Sequence, residues 1–385
     1  MCCTGLCAVG TVGTGDSSLI VVDPGQQPDV VIRAGRRDDL LALLGIRLGF
    51  HPTESLLVGS VDGPSHRLGF VLRVDLPGPQ DVDKQVAGIV QVLCSQRAQR
   101  VVVVALGTGG DIGTLVDTAV HALAEASIDV VEALVADGRR WWCRLCPDGS
   151  CGDPAGTAYD LTATSAMAQA VVAGVSVLPS RAALAEGFAA VPGPLRDAVT
   201  AAADDVRADQ LRFWSRHGAR RPLHRTPAVL TRGAAQVRRL LASAVESGPL
   251  EERHGSNDRL TAQGMAELAV LVGLVPVRDV AWSLMARSSA RGHAAVWAQV
   301  SRYAPVELSA APLALAGFAS WLHGDGAAAW CAVERCLSEH PSYSMALLLS
   351  EALERALPPG MWSPPPAELL AAGLDPPVEQ DDPAA

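Results

Sequence analysis

At 385 residues, 49% hydrophobic and 19% charged, the chain can build the cores of two ordinary domains and is too apolar for wholesale disorder. Its net charge of −10 speaks against a general nucleic-acid binder, which needs clustered cations along a phosphate backbone. No uninterrupted apolar window of about 18 residues occurs, so no membrane span is expected.

Residues 1–28 are rich in Gly, Ser and Thr without a period and read as a disordered extension. An α/β domain is expected over 29–160. A short strand at 30–33 leads into a helix over Asp38 to Leu48, with Asp38 as N-cap and Leu40, Leu41, Leu43, Leu44 and Leu48 at helical spacing. Gly49 supplies the stop, and Pro52 pushes His51 out of the helical region. Strands at 55–61 and 66–75 flank Asp62-Gly63-Pro64-Ser65, a hairpin loop. A helix at 80–97 precedes Val101 to Leu106, whose continuous apolar run predicts a central parallel strand. Another helix (111–126) and strand (129–136) follow, and Asp137-Gly138 turns a second hairpin into 139–145. This alternation predicts a mixed sheet with βαβ units and two hairpins.

Beyond residue 160 the strand patterns stop. Helices are expected at 162–172, 180–189, 194–217 and 228–247, in a helical linker region over 161–257 that ends in a polar break at 248–257. In the domain over 258–360, Ala295, Trp297, Val300 and Arg302 recur as Ala328, Trp330, Val333 and Arg335, and a proline follows each block. A helix–turn–helix unit of this period resembles tetratricopeptide stacking. Two copies are fewer than the roughly three that a free-standing array needs, so these helices are expected to lean on earlier ones in an all-α domain. The Pro-rich, acidic segment 361–385 reads as a disordered tail.

The run G-F-H-P-T-E-S-L (Gly49 to Leu56), with R-V-D-L-P (Arg73 to Pro77), R-R-W-W (Arg139 to Trp142), G-V-S-V-L-P-S-R-A-A-L (Gly174 to Leu184) and V-R-D (Val277 to Asp279), resembles an actinobacterial family of domains of unknown function. The resemblance covers roughly residues 30–360. It implies no catalytic residues, because that family has no established activity.

Three constellations could carry chemistry. The first is His51, Glu54, Arg73 and Asp75. If Val61 pairs with His66, Glu54 faces Arg73 and Asp75 lies beside the His51-Pro52 corner, a set suited to acid–base work or to clamping an anion. The plainer reading is a cross-strand ion pair worth ~0.2–1 kcal/mol. The second is Gly107-Thr108-Gly109-Gly110-Asp111-Ile112-Gly113, between a buried strand and a helix, where phosphates commonly bind. The dinucleotide spacing fails, no lysine follows, and Asp111 would cap the helix and repel a phosphate, so this reads as a turn. The third is Cys143, Cys146 and Cys151. Their spacing resembles half of a zinc knuckle, but a closed site wants four ligands and only three are local, leaving Asp148, Asp153 or a distant histidine to complete it. Reduced thiols are the plainer reading, and neither metal nor cofactor is expected.

The arginines over 212–239 read as a solvated helical face, or else as a docking patch for an acidic partner or nucleic acid. The nine cysteines form an odd set without an extracellular framework, and the start of the chain lacks a basic secretory n-region, so a reduced, cytoplasmic protein is expected. The leading reading is a binding or scaffold module with a protein partner. The alternative is a small-molecule enzyme or ligand sensor with a pocket near His51, Arg73 and Asp75.

Overall fold

The first helix shows how the chain organises itself. In the computed structural model, α1 (Arg37–Leu48) buries Leu40, Leu41, Leu43, Leu44, Ile46 and Leu48 and stops at Gly49, whose φ of 75° is the left-handed cap that only glycine adopts without strain. The N-terminus differs from expectation. Arg36 is the cap residue, and Asp39, not Asp38, carries the cap chemistry. The Asp39 carboxylate is 3% exposed and accepts from the amides of Gly35 (3.1 Å), Arg36 (3.2 Å) and Ala166 (3.0 Å). A buried carboxylate persists when its lone pairs are satisfied in this way.

The structure describes residues 19–22, 31–63, 66–109, 111–146, 151–218, 221–245 and 260–375. The tip of the first hairpin at 64–65, the polar break at 248–257 and the last residues, 376–385, lie outside them. Two compact units divide the chain, residues 1–183 and 184–385.

The first unit is α/β. Its strands are β1 (Leu19–Val22), β2 (Val31–Ala34), β3 (Ser55–Asp62), β4 (Arg67–Asp75), β5 (Arg100–Leu106), β6 (Asp129–Ala136), β7 (Arg140–Cys143) and β8 (Thr157–Ala158). They form one mixed sheet in the order β2-β1-β4-β3-β5-β6-β7-β8. Strand β1 lies within the stretch expected to be disordered. It pairs antiparallel with β2 and touches β4 in parallel at Ile20 and Arg67, so backbone pairing recruits a segment whose side-chain pattern carried no period. Strand β5 is central, as its run of valines predicts, but only β6 runs parallel to it, because β3 on its other side is antiparallel.

Helices α2 (Val82–Ser95) and α3 (Ile112–Glu125) cover one face of the sheet. There Val86, Ile89, Leu93, Leu115, Val116 and Leu123 meet Leu56, Val58, Val101, Val103 and Ala105. On the other face Leu44 of α1 and Val102 of β5 come together over Gly59, and α4 (Ser165–Val172) packs beside α1 and β2. Alternate residues of β3 and β5 thus serve two layers, which is why those strands read as unbroken apolar runs.

The division between units falls within α5 (Arg181–Glu186). The second unit is all helical: α6 (Pro194–His217), α7 (Pro227–Val245), α8 (Ala262–Leu271), α9 (Val275–Ser283), α10 (Ala290–Tyr303), α11 (Ala310–His323), α12 (Gly326–Glu339), α13 (Ser344–Glu354) and α14 (Ala367–Leu374). Helices α6 and α7 are not a linker. Their Val199, Ala203, Leu230, Val237 and Leu241 belong to the same apolar core as Met265, Trp297 and Leu313. Two copies of a repeat cannot close a core by themselves, and these earlier helices supply the missing layer.

The repeat itself falls on α10 and α12, each the first helix of a pair. Val300 and Val333 are both fully buried, while Trp297 is buried and its counterpart Trp330 is half-buried. Gly317 of α11 sits where a Cβ would meet Leu349, Val333 and the carbonyl of Ala329 within 3.3 Å, so three helices converge on a position that has no room for a side chain. The expected disordered tail also begins too early. Trp362 donates its indole N–H to the carbonyl of Met285 (3.2 Å) and packs on Trp282 and Phe318, and α14 lies against α9 and α7. No helix among the described residues is long and apolar enough to cross a membrane.

Candidate functional site

The corner after α1 does not assemble as its sequence suggests. Ser55 pairs with Asp75 and Leu57 with Arg73, and a register shift between Gly59 and Val61 lies nearer the tip. Glu54 therefore does not face Arg73. It sits just before β3 at φ 43°, and its carboxylate accepts from the amide of Thr108 (3.1 Å), bracing the loop after β5. Arg73 instead donates from Nε to the Ser55 hydroxyl (2.9 Å) and pairs with Asp75 on its own strand. His51 turns to another neighbour. Its amide donates to the carbonyl of Leu178 (2.9 Å), the amide of Leu178 donates back to Gly49 (2.8 Å), and its Nδ1 is buried without a partner. Two of the sequence signatures, G-F-H-P and V-L-P, thus meet through backbone hydrogen bonds.

The loop at 107–113 behaves as a turn with a capped helix. Asp111 accepts from the hydroxyl and the amide of Thr114, and these bonds hold its carboxyl below the usual range. A carboxylate in that position leaves no welcome for a phosphate.

The cysteines form a tighter group than their spacing indicated. Cys146 and Cys151 are joined as a disulfide, which corrects the expectation of reduced thiols, and Cys143 remains a thiol. All three Sγ atoms lie within 4.8 Å of one another. Beside them is Glu132 of β6, 1% exposed, whose Oε1 is 3.8 Å from the Cys143 Sγ. Its Oε2 accepts from Nε of Arg37 at 2.9 Å. Burial pushes the Glu132 carboxyl above its usual range, and the Arg37 charge pulls the other way. Arg37 also donates to the carbonyl of Cys151 (2.9 Å) and lies 5.2 Å over the Trp141 ring, whose indole donates to Asp38 (2.8 Å). Of this cluster, sequence reasoning found only the thiols. Glu132 was concealed because a lone acid in an apolar strand looks the same whether it faces solvent or core.

In the helical unit, α6, α7 and α8 enclose a groove of about 350 Å³. Asp205, Asp209 and Phe213 recur at helical spacing along one side, with Arg232 and Glu267 opposite. The Arg232 guanidinium lies 4.5 Å over the Phe213 ring and 2.8 Å from Asp209. Gln236 and Gln263 donate to Glu267 at 2.6 and 2.9 Å, and the side-chain nitrogen of Gln210 is buried without a partner. Arg212 and Arg232 both pair with Asp209, so one carboxylate offsets part of the charge of the arginine-rich segment. The spacing of Asp205, Asp209 and Phe213 was the available signal, and the arginines drew attention away from it.

The chain thus joins an eight-stranded mixed α/β unit to an all-helical unit. The chain belongs to the family described as Domain of unknown function (DUF4192), which matches residues 38–360. Neither the curated proteins nor the solved structures contain a match to it.

Proposed function

We propose that the protein is a binding or scaffold module that holds a segment of a protein partner in the groove between α6, α7 and α8. One observation carries this reading: the groove combines an apolar floor with polar groups that have capacity left over. Asp205 has no ion pair among the described residues, and the Gln210 amide has a buried donor without an acceptor. A peptide carrying a basic side chain would satisfy both, its cation at Asp205 and a backbone carbonyl at Gln210, with an apolar side chain against Phe213. An actinobacterial source fits a composition with Lys84 as its only lysine. For a cytoplasmic location the thiols of Cys94, Cys143 and Cys336 speak in favour and the Cys146–Cys151 disulfide against.

The test is an array of synthetic peptides that vary basic, acidic and apolar positions, probed with the full chain. Peptides with a basic residue should be retained, and Asp205→Lys and Phe213→Ala should each lose that retention by at least about tenfold, or roughly 1.4 kcal/mol. Cys94→Ser should leave it unchanged. Equal retention by wild type and both groove variants, or no retention by wild type, would overturn the reading.

A second reading keeps a small-molecule enzyme or sensor site near His51, Arg73 and Asp75, favoured by the unpartnered, buried Nδ1 of His51. The Asp75 side chain is 81% exposed and already paired with Arg73, which speaks for the groove as the stronger candidate.

A further inference from the structure

We propose that reduction of the Cys146–Cys151 disulfide converts this corner of the α/β unit into a four-ligand site for a borderline-soft divalent cation of the zinc class. The ligands are the thiolates of Cys143, Cys146 and Cys151 and Oε1 of Glu132. The inference is independent of the peptide groove.

The geometry comes from the sheet. Cys143 pairs with Leu134 across β6 and β7, and Glu132 lies two residues before Leu134, so strand pleating places Glu132 and Cys143 on the same face. Thiolates around a tetrahedral zinc ion, each about 2.3 Å from the metal, stand about 3.8 Å apart. The three sulfurs already lie within 4.8 Å of one another, and Glu132, outside that trio, reaches it through Cys143 at 3.8 Å. Closing the site requires the Cys146 and Cys151 sulfurs to part and the Glu132 carboxylate to swing towards them once the disulfide opens. Glu132 supplies the fourth ligand that the local sequence lacks. Arg37 engages its Oε2, leaving Oε1 directed at Cys143, and the same arginine grips the carbonyl of Cys151. One guanidinium thereby orients two of the four ligands and offsets part of the negative charge of a three-thiolate, one-carboxylate set.

The opening step is a two-electron reduction. A dithiol is oxidised to its own disulfide, and its two electrons and two protons leave Cys146 and Cys151 as thiols. Cation binding then releases the thiol protons to solvent as the four ligands close on the metal. Of these four ligands the disulfide form leaves Cys143 and Glu132, too few to close a tetrahedral site. Cation and disulfide exclude one another, which makes this a redox-gated site.

The experiment uses the full chain reduced under argon with a phosphine, which becomes the phosphine oxide by taking oxygen from water. Co²⁺ and Zn²⁺ are titrated into the reduced and the oxidised protein. Reduced wild type should bind about one equivalent, with the near-ultraviolet thiolate–cobalt band and tetrahedral visible bands, and oxidised protein should bind none. Cys143→Ser should lose the site. Glu132→Gln should keep the thiolate band but weaken binding by at least about tenfold. Should Glu132→Gln fail to fold by circular dichroism, Glu132→Asp, which keeps the charge on a shorter arm, must shift the visible cobalt bands. Less than about a tenth of an equivalent in reduced wild type would overturn the proposal. So would equal binding by the oxidised form, or glutamate variants indistinguishable from wild type.

Discussion

Two ion pairs in the α/β unit look alike from the side of their arginines and differ in their acids. The side chains of Arg37 and Arg73 are 16% and 18% exposed, whereas Glu132 is 2% exposed and Asp75 is 81% exposed. Glu132 has given up water for Arg37, and Asp75 keeps most of its hydration and only leans on Arg73. Burial of the weaker-solvated partner therefore decides which pair matters energetically.

The sharpest way to break this comparison is Arg37→Met, which leaves the Glu132 carboxylate buried without its cation. The expected loss is ~3–5 kcal/mol by urea unfolding at neutral pH, and Glu132→Gln added to it should restore part of that loss. A loss below about 1 kcal/mol would show that water reaches Glu132 and that the two pairs are equivalent.

The helical unit offers the same contrast in a single residue. His293 is 3% exposed with an unpartnered Nδ1, and burial pushes its pKa down to about 4 against a hydrogen bond to the Leu284 backbone that acts in the opposite sense. The unfolded imidazole takes up a proton near pH 6.5, while the folded one resists until about pH 4. Its contribution is thus complete above pH 6.5 and drains away as pH falls towards 4, by roughly 3 kcal/mol. His293→Leu should flatten the urea midpoint over this window. An unchanged slope would assign acid sensitivity to other groups.

The smallest effect belongs to the exposed pair. A double-mutant cycle on Arg73→Met and Asp75→Asn should give a coupling of about 0.2–1 kcal/mol that fades with added salt. Coupling near the Arg37–Glu132 value would erase the distinction between the two corners.

Much of the architecture was legible from local chemistry. The leucine spacing and Gly49 marked α1, the valine run marked β5, Asp137-Gly138 marked the turn into β7, and the Trp297/Trp330 recurrence marked α10 and α12. All but the tryptophan recurrence are contained within about a dozen residues, because helix periods, caps and turns depend on neighbours along the chain. Where reasoning needed a distance between elements it failed. The hairpin pairs Asp62 with Arg67, two residues away from a Val61–His66 register, and the shift between Gly59 and Val61 adds one more, so Glu54 went to Thr108 and Arg73 to Asp75. Asp39 was overlooked for Asp38 because one of its three donors, Ala166, lies far along the chain.

The sequence by itself determined the order of helices and strands from β2 to β7, the change from α/β to all-α, and the cysteine trio with its missing fourth ligand. Only the tertiary structure decided that Glu132 stands beside those thiols, that Arg37 holds both, and that α6 and α7 form a groove with α8. The physical reason is that periodicity reports which face of an element is buried, whereas a site depends on which other element buries it, and that is settled by packing between segments far apart in sequence.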